Sequence, residues 1–259
     1  MTSPTPFLEG GGGAQTIVFL HGIGSDGTSF HHQMQAFSGY RTIAWHMPGY
    51  ADSEMAQTVP TFADLSARLG ALIAKIGGPV HLVGHSIGGM VALEHALRGP
   101  NDVKSLAMVA ATSRFGGRDD KFKEQFLAAR LGPLDGGQTM GEMAAGAVSQ
   151  LVGPDTPASE IKRIEAAMAA VPVATWKAIL RCLVTFDRAA DLDQLRCPTL
   201  VVAGGIDTNS PARSLQKMAQ HIPGAQFIEL ERTGHFPHQE RPAEFNLGLS
   251  QFLQNVTHT

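Results

Sequence analysis

The chain has little cysteine: Cys182 and Cys197 are the only two among 259 residues. So sparse a pair excludes the disulfide framework of a small secreted domain, and a reducing cytoplasm is the expected compartment. Long hydrophobic runs are missing too, none approaching the roughly 18 apolar residues of a membrane-spanning helix. Met1 to Glu9 lacks a basic segment followed by an apolar one, so no export signal is expected. Charge of one sign is absent as well, 20 Lys and Arg standing against 23 Asp and Glu for a formal net charge of -3. Without a basic stripe, neither nucleic acid nor a membrane surface is an expected partner.

What is present is alternation. Short apolar runs rich in β-branched residues predict strands at Thr16 to Leu20, Thr42 to Trp45, Val80 to Val83, Ser105 to Val109, Thr199 to Ala203 and Gln226 to Leu230. Between them, Leu65, Leu69, Leu72, Ile73 and Ile76 recur at helical spacing after Thr61, whose hydroxyl suits an N-cap. Val91 to Arg98, Pro211 to His221 and Pro242 to Gln254 predict further helices. The pattern is that of an α/β fold, a mostly parallel sheet with helices on both faces. Phe7 to Glu9 can supply at most one short edge strand before it. The alternation lapses after Thr112 and resumes at Leu195. Residues 113–190 therefore predict a helical cap inserted into a single core of 1–112 and 191–259, with Pro133, Pro154, Pro157 and Pro172 punctuating four helices. Loops at the carboxyl ends of parallel strands form the usual ligand crevice, so a cap placed there would cover it.

The chemistry-bearing motif is Gly84-His85-Ser86-Ile87-Gly88-Gly89, set between an apolar strand and a helix. The order strand, G-x-S-x-G, helix holds a serine in a sharp turn with its hydroxyl exposed above the sheet. A serine hydroxyl needs a neighbouring base to become a nucleophile near neutral pH, and the base needs an acid to orient it. Asp207 follows the strand ending at Ala203, and His235 follows the next one, giving the order serine, acid, histidine. Ser86, Asp207 and His235 are accordingly the candidate catalytic residues. The N–H of Ile87, at the positive end of the following helix, is a candidate oxyanion donor.

Through His21-Gly22, Pro48-Gly49-Tyr50-Ala51-Asp52-Ser53, the serine motif, Gly205-Ile206-Asp207 and Gly234-His235, the sequence resembles the α/β-hydrolase superfamily over nearly its whole length. Phe186 to Leu192, leading into Cys197-Pro198-Thr199-Leu200-Val201, is similar to the 3-oxoadipate enol-lactonase-like group. The resemblance implies a serine esterase or lactonase working through an acyl-enzyme, with the N–H of Ile23 as second oxyanion donor. Two departures stand out: His46 where relatives carry an acidic residue, and Ala51 where they carry glycine. The same scaffold serves carbon–carbon bond hydrolases of aromatic degradation, and a ligand-binding receptor retaining a vestigial triad is the reading from outside catalysis.

The substrate is less legible. Trp176 and Phe236 are candidates for lining its pocket, and Arg114, Arg118, Arg130 or Arg181 could hold a substrate carboxylate. Basic and acidic residues nearly cancel across 113–190, so charge does not choose among them. No cofactor is implied. A metal site at His31-His32 is not expected, because adjacent helical residues point about 100° apart and no acidic or cysteine cluster accompanies them in sequence. The expected partner is a small-molecule substrate, with a homodimer left open.

Overall fold

The computed structural model describes residues 6–55, 59–99, 101–115 and 119–257. Seven strands form one sheet: β1 (Phe7–Gly10), β2 (Thr16–Leu20), β3 (Arg41–Trp45), β4 (Val80–His85), β5 (Val103–Val109), β6 (Thr199–Gly204) and β7 (Gln226–Leu230), in the spatial order β1-β3-β2-β4-β5-β6-β7. All neighbours pair in parallel except β1, which runs antiparallel to β3 with Phe7 opposite Trp45. β1 is thus the one short edge strand that Phe7 to Glu9 could supply.

Strand β2 shows why the sheet is covered on both faces. All five of its residues are buried, but successive side chains point to opposite sides. Ile17 and Phe19 join one cluster with Phe30, Phe37, Leu200, Phe245 and Phe252, under α1 (His31–Ala36) and α10 (Pro242–Thr257). Val18 and Leu20 join the other with Leu65, Leu69, Val91 and Leu215, under α2 (Phe62–Ile76), α3 (Ile87–Leu97) and α8 (Ala212–Ala219). Fully burying each such side chain contributes about 1.5–3 kcal/mol. Thr61 caps α2 as its sequence suggests, accepting from the Asp64 N–H at 3.1 Å while the Asp64 carboxylate accepts from the Thr61 N–H at 2.9 Å.

Between β5 and β6 lie α4 (Asp120–Asp135), α5 (Met140–Val148), α6 (Ala158–Ala169) and α7 (Val173–Leu183). Pro133, expected to separate helices, instead sits inside α4, two residues before its end. Near a C-terminus the amide hydrogen bond that proline removes and the kink that it imposes affect only the last turn. The segment returns to the core through Arg188, whose guanidinium donates to both oxygens of the buried Glu94 on α3, at 2.6 and 2.9 Å. No single helix among the described residues is long and apolar enough to cross a membrane. Cys182 is buried and Cys197 half-buried, and both are free thiols.

Candidate active site

Ser86 occupies the turn where β4 ends and α3 begins, with φ 51° and ψ -122°. A non-glycine residue held there costs on the order of 1–3 kcal/mol, so the surrounding packing must impose it. Glycines make the packing possible: a Cβ on Gly84 would lie 2.5 Å from the Gly89 Cα, and one on Gly88 would collide with the carbonyls of Leu20 and His21. The elbow therefore lets α3 press against β4 and β2, with Ser86 at the helix N-terminus and only partly buried. Ile87, the first residue of α3, carries one of the N–H groups that no helical carbonyl can accept from.

The loop after β2 approaches the same turn. A Cβ on Gly22 would stand 2.6 Å from His85 Nδ1 and 3.5 Å from the Ser86 Cβ, so this loop lies directly beside the serine. Its conformation is fixed from both ends. His21 Nδ1–H donates to the Gly22 carbonyl at 2.8 Å, and its Nε2 accepts from the Met47 N–H at 3.1 Å. Burial lowers the His21 pKa to about 4, so the ring is neutral and able to play both parts. The Tyr50 hydroxyl donates to the Ile23 carbonyl at 2.9 Å.

Asp207 and His235 meet at 2.7 Å, His235 Nδ1–H donating to the Asp207 carboxylate. Burial pushes the Asp207 carboxyl up, but the hydrogen bond and charge of His235 and the N–H groups of Asn209 and Ser210 outweigh it and leave the pKa below its ordinary value. Its other oxygen accepts from the Asn209 N–H at 2.8 Å. The His235 loop is held by contacts that its own sequence does not announce. Glu240, buried at the end of the short helix α9 (Pro237–Glu240), accepts from the N–H groups of Gly234 at 3.0 Å and Phe236 at 2.9 Å, one on each side of the histidine. The same carboxylate accepts from the Gly153 N–H at 2.6 Å and the Thr156 hydroxyl at 2.9 Å, while the His235 N–H donates to the Leu151 carbonyl at 2.6 Å. Residues 151–156, between α5 and α6, thus clasp the histidine loop.

His85 joins the serine turn to the histidine. Its Nε2–H donates to the His235 carbonyl at 2.7 Å and its ring centroid lies 5.1 Å from that of His235. Burial and the neighbouring His235 lower its pKa to about 3, keeping it neutral. Behind it His238 is fully buried, stacked on Phe30 and 4.7 Å from the His85 ring, with a pKa lowered well below the ordinary range by burial.

Phe236 packs against both His85 and His235, at 5.3 and 5.6 Å between ring centroids. Trp176 is buried in the cluster joining α7 to the sheet, with no hydrogen-bond partner for its indole N–H among the described residues. His46 is a strut: it is buried, and its Nδ1 accepts from the Gly27 N–H at 3.3 Å. Ala51 takes φ 47°, the left-handed conformation that explains a glycine at this place. Arg114 pairs with Asp187 and Arg130 lies 3.6 Å over the Phe126 ring, whereas Arg181 is exposed. Arg118 lies outside the described residues.

The expectation that His31 and His32 diverge is wrong. Their ring centroids are 3.8 Å apart and both Nε2 atoms face the Glu160 carboxylate on α6. The helical spacing fixes Cβ directions, while the rings swing freely through χ1 and χ2. The acidic neighbour comes from α6, far away in sequence.

Comparison with known proteins bears on the family and the fold. The model of the alpha/beta hydrolase family matches residues 17–246. The chain is 28% identical to the pimeloyl-[acyl-carrier protein] methyl ester esterase of Shewanella woodyi over 95% of this chain and 96% of that one. It is 29% identical to the protein of the same name from Aeromonas hydrophila, over 95% and 98%. Among solved structures, a thermophilic esterase from Thermogutta terrifontis matches with a TM-score of 0.87 at 24% identity, covering 97% of this chain and 93% of that one. The enol-lactonase from Burkholderia xenovorans matches with a TM-score of 0.85 at 20% identity, covering 96% of each. These structural likenesses establish the fold.

Proposed function

The chain belongs to the alpha/beta hydrolase family, and from that premise we propose that it hydrolyses small carboxylic esters or lactones through a Ser86–His235–Asp207 triad. One observation carries the proposal: the Asp207–His235 hydrogen bond is tied, through His85 donating to the His235 carbonyl, to the residue next to a serine in a strained strand-to-helix turn. The methyl ester esterase relatives support the ester over the lactone as the first substrate to try.

With Nδ1–H donated to Asp207, His235 presents Nε2 as an unprotonated base. It takes the Ser86 proton as Oγ attacks the ester carbonyl, and Asp207 stabilises the imidazolium that forms. Charge then develops on the carbonyl oxygen, where the N–H groups of Ile23 and Ile87 act as donors, each worth roughly 10²–10³ in rate. Collapse expels the alcohol with the proton from His235. Water, deprotonated by the same imidazole, attacks the acyl-enzyme and releases the acid. In this reading residues 113–190 form a lid over the site, and Trp176 and Phe236 line the pocket beneath it.

A panel of short-chain methyl esters, lactones and vinylogous diketones tests the assignment with wild type and Ser86→Ala side by side. Ester or lactone turnover that drops at least about 10⁴-fold in the variant is the expected result. Unimpaired turnover by Ser86→Ala would sink it, and diketone cleavage without ester hydrolysis would move the activity to carbon–carbon bonds.

A further inference from the structure

Away from the triad, the first helix of the core and the third helix of the insertion share a cluster with no part in the chemistry above. His32 Nε2 lies 3.4 Å and His31 Nε2 3.8 Å from one Glu160 carboxylate oxygen. The three ligand atoms all fall within 4.8 Å of one another. Two features mark this as more than a surface ion pair. Glu160 is 7% exposed, and its second oxygen, Oε2, has no hydrogen-bond partner among the described residues. The buried His32 Nε2 likewise has none, so two polar atoms in one cluster are withdrawn from water without hydrogen-bond compensation.

We propose that His31, His32 and Glu160 form a binding site for a divalent transition-metal ion of the zinc class, clamping α6 to the core. Two imidazoles and a carboxylate are an established donor set for such an ion, with a fourth position left to water. His31 is already oriented for it. Its Nδ1 is 3.2 Å from the Thr28 carbonyl, and an N–H donated there leaves the Nε2 lone pair toward Glu160. Ligand atoms around a tetrahedral zinc ion stand about 3.3 Å apart, so side-chain rotation within the cluster suffices for binding. The side chains of His31 and His32 are 22% and 29% exposed, which leaves a path in from solvent. Arg163, 3.5 Å from the same Glu160 oxygen, is the competing cation, and with its side chain 52% exposed it can turn out into water. The ion would join two segments far apart in sequence. It would also fix the helix whose Met168 packs on Gly24, beside the proposed oxyanion donor Ile23.

The test is zinc titration of the chelator-treated full chain by calorimetry, together with thermal melts with and without the ion. One equivalent bound and a raised Tm are expected in wild type. His32→Ala and Glu160→Gln should each weaken binding by more than the roughly 10- to 100-fold that losing an outer partner of a ligand costs, and abolish the Tm rise. Cobalt substituted for zinc should show ligand-field bands that vanish in the same variants. Metal-free ester turnover of His32→Ala should match that of wild type, which keeps failure of the metal site distinct from failure of the catalytic assignment. No binding, or binding that both variants retain, would overturn the proposal. So would a metal-free Tm lowered by Glu160→Gln in a protein whose wild type gains nothing from zinc, the behaviour of an ordinary ion pair.

Discussion

Ser86 is held at φ 51° by glycines on either side, and the cost of that conformation falls on the backbone, not on the hydroxyl. Ser86→Ala should therefore leave the unfolding free energy from urea titration within about 0.5 kcal/mol of wild type while removing turnover. Asp207→Asn should keep the geometry and lower kcat by about 10⁴, because an amide can no longer hold the His235 tautomer. Ala51 at φ 47° is a different case, since nothing in the proposed chemistry needs its methyl group. Relief of about 1–2 kcal/mol of left-handed strain in Ala51→Gly outweighs the 0.4–1 kcal/mol of added unfolded-chain entropy, so a slightly raised Tm is expected in a thermal melt. At this scale the candidate triad was legible because serine, acid and histidine each sit beside a strand end that short-range pattern reveals. Tyr50 on the Ile23 carbonyl and His85 on the His235 carbonyl were not, since their partners lie 27 and 150 residues away.

Among elements, the turn from β7 into α9 depends on a single carboxylate. Glu240 satisfies the N–H groups on both sides of His235 and ties them to residues 153 and 156, between α5 and α6. Glu240→Ala leaves several buried donors without an acceptor, and a loss of about 3 kcal/mol is expected in urea unfolding. A displacement of His235 by about 1 Å would also lower kcat on the order of 10²-fold, with a smaller effect on KM. An unchanged kcat in a folded variant would contradict this role for Glu240. No pattern around His235 foretells the tie to Gly153 and Thr156, because those two donors come from a loop more than 80 residues from Glu240 in sequence. The six expected strands, by contrast, were legible to within two residues, and in β2 and β6 burial on both faces is what keeps every position out of water. Pro133 misled the helix boundary because a proline near a C-terminus leaves most of a helix intact.

At the scale of the whole molecule, burial holds His21, His81, His85 and His238 neutral. Burial lowers His21 and His81 to about 4 and His85 to about 3, and takes His238 well below its ordinary range. Their folded pKa values lie below the unfolded value near 6.5, so the unfolded chain binds more protons between pH about 6.5 and 4. The stability they contribute is complete above pH 6.5 and is lost as the pH falls through that window. Asp207, also depressed, adds a further loss at still lower pH. Urea midpoints should therefore decline steadily from pH 7 to 4.5, with a shallower decline in His238→Phe, which replaces a ring whose two nitrogens have no hydrogen-bond partner. A flat profile would show that these rings are not buried neutral. The parallel sheet was readable from alternation, but the docking of α6 on His31 and His32 was not, because it joins segments that share no local pattern.

The most direct measurement is labelling of the intact chain by a fluorophosphonate, read by mass spectrometry. An activated serine should yield one adduct, on Ser86, that disappears in Ser86→Ala and slows sharply in His235→Ala. An unlabelled wild type, or an adduct on a different residue, would contradict the triad.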